Sequence, residues 1–511
     1  MDFVNLNETG GISLEMSLRK ARICKKPLLF ILLSFLCIIL FFMIGIFMGY
    51  SPDMLIQVPF IMAGYTCFVF MLAYFAYRHL QEDQAFVFFI ACIAFGIRFM
   101  WVLLVDTNPV SDFHIMYDAA VKMSVGDFSY NDSDYFQAWT YQLGFTMYQA
   151  LMIKLFGTSL LPLKILNVLW CTGITVLVYK IGRMIFNEFA AKFASITYCF
   201  FVPSIVMSSV LTNQHLATFL FYLAFYYLLK NLTPSWKVSI CTAVLVSLGN
   251  LIRPLGAVIL LSILLYVVIY LIVLKKQSIK KGIGFVVIFF TTYFAVFYFV
   301  SLLAVSTGIS HAPLVNHDPM WKFVLGFNHD TEGAYSEEDF KKVTQYPLGE
   351  ERTRIEKEMV QERLSDLGKL SGLFLSKIRL MWSEVDALYW SLNTASVSHL
   401  FSMIHTYSYI TYFVIMLILF ISVDLLIISR QDMDQKYLFF IILILGYMGV
   451  HLLIEVQQRY RYFIMPSMIL IEGYGAYMLV TVMSSWKKRY PIHRLLRMRT
   501  KEARANVAEK A

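Results

Sequence analysis

The chain has 511 residues, 59% of them hydrophobic and only 15% charged, with a mean hydropathy of +0.64. Soluble domains carry about 25% charged residues, so this composition excludes a soluble globular protein and indicates a polytopic membrane protein. The net charge of +9 comes largely from Lys and Arg at the ends of apolar runs, which excludes a basic nucleic-acid-binding face and instead reports topology.

Residues 1–27 form a basic N-terminus with Arg19, Lys20, Arg22, Lys25 and Lys26. A crossing helix needs about 20 apolar residues. Twelve runs meet that pattern: 28–49, 57–78, 85–105, 162–182, 190–210, 213–230, 237–253, 255–274, 283–305, 405–429, 437–455 and 460–485. The first is too long for a signal-peptide core and lacks a small-residue cleavage site, so it reads as a retained anchor opening an N-terminal hairpin over 28–78. A core follows over 79–305, and its loop 106–161 is acidic, with Asp106, Asp112, Asp118, Asp127, Asp132 and Asp134 against Lys122 and Lys154. Within that loop, Leu143, Met147, Ala150, Leu151 and Leu155 recur near helical spacing, which predicts an interfacial helix over 141–156. The turns at 210–213 and 253–255 are tight, and a re-entrant pair is the alternative there. The segment 306–404 begins irregularly, with Pro313, Pro319, Gly326, Gly333 and Pro347, then reads as helix from about Gly349 to Met381. The last crossings occupy 405–485, and a basic tail, 486–511, opens with Lys487-Lys488-Arg489.

Twelve crossings put the N-terminus, the Lys-rich 275–281 loop and the tail on one side, expected to be the cytoplasm. The two long segments 106–161 and 306–404 then share the outer face. The fold class is an all-α polytopic membrane protein of about 12 transmembrane helices with outer-face amphipathic helices. Six of the seven cysteines lie in apolar runs and Cys24 lies in the basic N-terminus, so no disulfide framework or CxxC metal pattern is present. No GxGxxG follows a strand and no GxxxxGK[ST] occurs, which removes support for ATP-driven transport.

Ionisable groups at membrane depth are costly and therefore candidates for function. Asp106 and Asp112 follow the third run directly, and either suits a general base or a metal ligand. Arg98 lies about two turns earlier, placed to snorkel or to meet an anionic headgroup. Tyr117 and Asp118 continue the acidic loop. The sixth run opens Thr212-Asn213-Gln214-His215, where His215 suits a hydrogen bond to substrate and, lacking a partner at ligand spacing, makes a poor metal site. Arg253 precedes Pro254 at an outer turn, and an arginine grips phosphate bidentately. The most concentrated cluster is Glu455-Val-Gln457-Gln458-Arg459-Tyr460-Arg461-Tyr462, between the last two runs. A carboxylate and several guanidinium groups on one face suit chemistry on a lipid phosphate. No Ser-His-Asp order or HExxH competes.

From 85 to 485 the sequence resembles the GT-C superfamily of multi-pass glycosyltransferases, in its family 39-like branch of protein O-mannosyltransferases and the lipid A aminoarabinose transferase. The resemblance rests on SDFHIMYDAA (111–120), YQLGFTMYQALMIKLFG (141–157), LKILN (163–167), PSIVMSSVLTNQHLATFL (203–220), LIRPLG (251–256), LGFNHDTEGAYSEED (325–339) and EVQQRYRYFIMP (455–466). It implies an inverting transferase acting on a polyprenyl-phosphate-linked sugar. Asp112 would be the base, with Asp106 second for acceptor positioning or a divalent cation. Arg253 or Arg459 would stabilise the departing phosphate. Arg98, Tyr117, His215, Glu455, Gln458 and Tyr460 complete the expected substrate contacts. Phe113 stands where many members have Glu, and Asn213 where many have an acid, so this chain departs from a paired acidic or metal site. No cofactor is required, and divalent-cation dependence stays open. The acceptor is a surface glycan, lipid or protein, in a bacterial plasma membrane with both termini cytoplasmic. A transporter or flippase, or a polymerase of lipid-linked saccharides, is the alternative.

Overall fold

The computed structural model describes residues 8–230, 235–274, 279–384, 388–392, 398–429 and 435–489. Among them every regular element is a helix. In chain order these are α1 (Glu8–Met48), α2 (Pro52–His79), α3 (Asp83–Leu104), α4 (Asp112–Ser124), α5 (Asp134–Ala138), α6 (Leu143–Phe156), α7 (Leu160–Ile185), α8 (Glu188–Cys199), α9 (Val202–Val206), α10 (Gln214–Lys230) and α11 (Trp236–Ile252). They continue with α12 (Gly256–Tyr266, running on as a π-helix to Leu274), α13 (Ile279–Ser306), α14 (Trp321–Gly326), α15 (Glu337–Val343), α16 (Glu350–Leu364), α17 (Leu367–Ile378), α18 (Ser398–Ile428), α19 (Leu438–Leu453) and α20 (Met465–Arg489).

Each of the twelve apolar runs is helical. Eight helices among the described residues are long and apolar enough to cross a membrane, or nine when the bent pair Glu188–Cys199 and Val202–Ser209 is taken as one span. The protein is a multi-pass membrane protein. The other expected crossings are shorter, with α10 and α11 at 17 residues each and α12 at 11 before its π-helical continuation. The fifth run was read as one span. It breaks by 54° because Pro203 cannot donate to the α8 ladder, and α9 starts a new helix there.

Charge divides the bundle into two ends. Arg78, Lys180, Arg183, Lys230, Lys237, Lys280 and Lys281 sit at the start or finish of α2, α7, α10, α11 and α13. The other ends of α7 and α11 meet α6. The interfacial helix read over 141–156 is α6, which buries Phe145, Gln149 and Ile153 and exposes Leu151, Leu155 and Phe156. Residues 349–381, read as helix, are α16, α17 and a π-turn over Arg379–Ser383. Together with α14 and α15 they form a small core of their own around Trp321, Val324, Leu325 and Met359. The tail beyond 489 lies outside the described residues.

Candidate functional site

The site lies where three connections meet: the start of α4, the α11–α12 turn and the α19–α20 linker. Ser111 takes the left-handed region at φ 52°, a costly conformation for a residue with a side chain. The turn places Asp112 at the first position of α4, whose Phe113, Met116, Ala119 and Ala120 are buried below it. Asp112 faces two adjoining cavities, one of about 420 Å³ and one of about 580 Å³. Their shared wall includes Tyr141, Gln142, Lys322, Glu455, Arg459 and Tyr460. The Asp112 carboxylate has no hydrogen-bond or ion-pair partner among the described residues.

Arg253 follows α11 directly and lines the smaller cavity. Its Nη1 donates to Asn213 Oδ1 at 2.8 Å, and its guanidinium lies 5.5 Å from the centre of the Tyr460 ring. Gly144 of α6 sets this position, because its Cα packs against the Leu251 carbonyl so closely that a Cβ would come within 1.8 Å of the oxygen. Arg459 donates through Nε to Gln457 Oε1 at 2.6 Å and stacks on Trp390, Phe113 and Tyr460 at 4.7, 5.1 and 5.7 Å. Among the described residues neither arginine pairs with a carboxylate. Two guanidiniums beside a carboxylate, none of them ion-paired among the described residues, form an arrangement that can hold an anion next to a proton acceptor.

Glu455 does different work. It is buried, and its Oε2 receives Lys322 Nζ and the Tyr460 hydroxyl, the latter at 3.2 Å. Its Oε1 accepts from Gln457 Nε2 at 2.6 Å. Burial pushes the Glu455 carboxyl up, but Lys322 and Gln457 outweigh it and hold the group below the usual carboxylate range. The sequence Lys322–Glu455–Gln457–Arg459 is therefore one chain of charged and amide groups that aims the arginine. Gln458 lines the larger cavity and donates to Glu384 Oε2 at 3.2 Å, while Arg379 holds the other oxygen of Glu384 at 2.8 Å.

Three expected contacts lie elsewhere. Arg98 is fully buried and donates to the carbonyls of Ala94, Cys199 and Tyr198 at 3.2–3.3 Å and to Ser204 Oγ at 2.9 Å. It closes the broken end of α8 instead of meeting a headgroup. His215 is also fully buried. Its Nε2 lies 2.9 Å from the Met207 carbonyl, which assigns the proton there, so Nδ1 accepts from the Tyr462 hydroxyl at 2.7 Å. Tyr117 donates to the Thr158 carbonyl and ties α4 to the turn after α6. Neither these three nor the exposed Asp106 lines the two cavities. Lys322, Tyr141, Gln142 and Trp390 were missed. Lys322 and Trp390 stand in a long segment with no periodicity to mark them, and Tyr141 and Gln142 open a helix read for its apolar face rather than for its polar start. Among the described residues no three His, Cys, Asp or Glu side chains gather around one point suited to a metal ion.

A family model described as dolichyl-phosphate-mannose-protein mannosyltransferase matches residues 143–301. No curated protein matches the chain. The matched stretch runs from α6 through most of α13 and includes Asn213 and Arg253. Asp112, Lys322 and the 455–460 linker lie outside it. The match meets the resemblance read from the motifs and supports a membrane glycosyltransferase of the GT-C type.

Proposed function

We propose that the protein transfers a sugar from a polyprenyl-phosphate-linked donor to a hydroxyl of a cell-surface acceptor with inversion at the anomeric carbon. Asp112 takes the hydroxyl proton as the oxygen attacks. The bond from the anomeric carbon to the phosphate oxygen breaks, and polyprenyl phosphate leaves with the electron pair. Its added charge develops opposite Arg253 and Arg459, which are fixed before the reaction and so pay little reorganisation. A single displacement inverts the configuration.

The observation that carries this reading is the Asp112 carboxylate sharing a cavity with two arginines that, among the described residues, no carboxylate neutralises. The family match supports the lipid-linked donor. The basic residues gathered at the opposite end of the bundle support a cytoplasmic location for that end and an extracytoplasmic site. General-base assistance is worth about 10²–10⁴-fold in rate. Membranes carrying wild type or Asp112→Asn are supplied with a radiolabelled polyprenyl-phosphate sugar pool. Transfer is expected to fall by about that factor in the variant with its yield and melting behaviour unchanged. Equal transfer by both proteins would remove Asp112 as the base.

A further inference from the structure

The two cavities differ in what lines them away from their shared wall. The smaller one presents Arg253 above aliphatic residues such as Met116, Leu251, Leu255 and Leu314. That combination suits a phosphate on a hydrocarbon chain. The larger one is aromatic. Nearly half of the residues lining it alone are Tyr, Trp or Phe, among them Trp139, Trp321, Tyr335, Phe340 and Tyr389. Between them stand the amides of Gln142, Gln457 and Gln458.

Tyr335 and Tyr389 leave 48% and 49% of their surface open. The indole Nε1 of Trp139 is buried without a hydrogen-bond partner. Aromatic residues at a membrane boundary commonly form an outward belt. These instead line a concave wall that includes the free carboxylate. A lipid chain would want a continuous apolar wall, which the three amides interrupt. An extended peptide would want an unpaired strand edge, and among the described residues there is no strand. A pyranose ring matches both elements, because its C–H face packs on an aromatic ring and its equatorial hydroxyls reach amides.

Resting on the transfer reaction above, we infer that the larger cavity is the acceptor site and that the acceptor is a saccharide, with Tyr335 and Tyr389 as stacking platforms. Asp112, which faces both cavities, then meets the acceptor hydroxyl where that oxygen approaches the donor carbon.

The test uses the full chain in nanodiscs with the labelled polyprenyl-phosphate sugar pool and three separate acceptor probes. These are a mixture of α- and β-linked hexose and N-acetylhexosamine trisaccharides, a mixture of Ser/Thr peptides, and membrane lipid free of sugar. Label is expected in the trisaccharide fraction. Tyr335→Ala and Tyr389→Ala are each expected to raise the trisaccharide KM by about three- to ten-fold, the size of one aromatic contact, with the donor KM unchanged. Tyr335→Phe and Tyr389→Phe are expected to retain wild-type values, which separates stacking from misfolding. Label entering peptide or lipid, or donor consumed without a saccharide product, would overturn the saccharide assignment and leave the transferase reading in place. Donor left intact by wild type with every probe would overturn both.

Discussion

Replacing Lys322 with Met tests whether the site is held by the charge chain that ends on Arg459. Glu455 is 2% exposed, and Lys322 is its one cationic partner within ion-pair distance among the described residues. Removing one member of a buried pair costs about 3–5 kcal/mol, chiefly because the other charge is left uncompensated. Gln457 and Tyr460 would still donate to the carboxylate, so the expected loss is smaller, about 2–3 kcal/mol. Glu455→Gln is milder, because the Lys322 side chain is 34% exposed and can turn its ammonium to water; its expected cost is about 1 kcal/mol. The double variant is then expected near Glu455→Gln alone, a coupling of about 2–3 kcal/mol. Tryptophan fluorescence on heating in detergent reads these as midpoint shifts, about 2–5 °C for Lys322→Met in a chain of this size. The measurement belongs at pH 7. A carboxyl held below its usual range contributes stability that is present above its unfolded pKa and is lost only as pH falls through the lower folded value. A double variant as unstable as the sum of the two single ones would refute the pairing and the chain of contacts built on it.

Glu356 is fully buried beside Asp318, with Arg352 Nε 3.8 Å away, and burial, then the hydrogen bond with Asp318 and its charge, push the carboxyl up to about 8. A carboxyl raised in the folded state contributes stability fully present below its unfolded pKa and lost as pH rises through the folded value. Helices α14–α17 are therefore expected to weaken from about pH 5 to about pH 8, and Glu356→Gln to flatten that slope in thermal melts taken across the range. Gly144→Ala would drive a Cβ into the Leu251 carbonyl, so it is expected to cost about 1–3 kcal/mol and, by moving Arg253, to raise the donor KM. A melting point and donor KM equal to wild type would refute the close approach. Gln457→Ala unties Arg459 while leaving Asp112 in place. It is expected to raise the donor KM about tenfold in steady-state assays, the worth of one hydrogen bond to a charged group.

What was legible in the sequence is what local composition encodes. The run read at 85–105 is α3 at Asp83–Leu104, and that at 162–182 is α7 at Leu160–Ile185, because a crossing helix must be apolar along its own length. Arg253, Glu455, Arg459 and Tyr460 were visible for the converse reason: polar groups at membrane depth are costly and few. The same rule picked out Arg98 and His215, which the structure places away from both cavities. A broken helix inside the bundle leaves carbonyls that need donors, and an arginine and an imidazole satisfy that need as well as they would bind a ligand. Which need each one meets depends on the packing of α3 against α8 and α9, a contact spanning about a hundred residues of sequence. Lys322 was invisible because an isolated lysine in an irregular outer segment looks like any solvated lysine until Glu455 is placed beside it.

The N-terminal hairpin, which the family resemblance leaves outside its core, bears on the site through packing. α1 lies against α18 and the π-turn at Arg379–Ser383 and buries Leu29, Leu32, Leu36, Ile39 and Met43. Ser383 Oγ donates to the Ile39 carbonyl at 3.3 Å, and the Tyr409 hydroxyl donates to the Met43 carbonyl at 3.1 Å. The same π-turn accepts from Tyr412 and Arg461 at the Trp382 carbonyl, at 2.8 and 3.1 Å, and carries Arg379, which holds Glu384 and through it Gln458. A π-turn has poorer hydrogen bonding than an α-helix and is kept only where its surroundings fix it. Here α1 supplies one side of that fixing, α18 another and the 455–463 linker a third. The hairpin thus braces the wall of the larger cavity, the one lined by aromatic residues, and leaves the side of the smaller cavity formed by Arg253 to α6, α11 and α13. The aromatic wall and the Arg253 wall rest on different parts of the chain, so the first can change in sequence while Arg253 stays where it is, and Arg459 stands on the wall that the two cavities share.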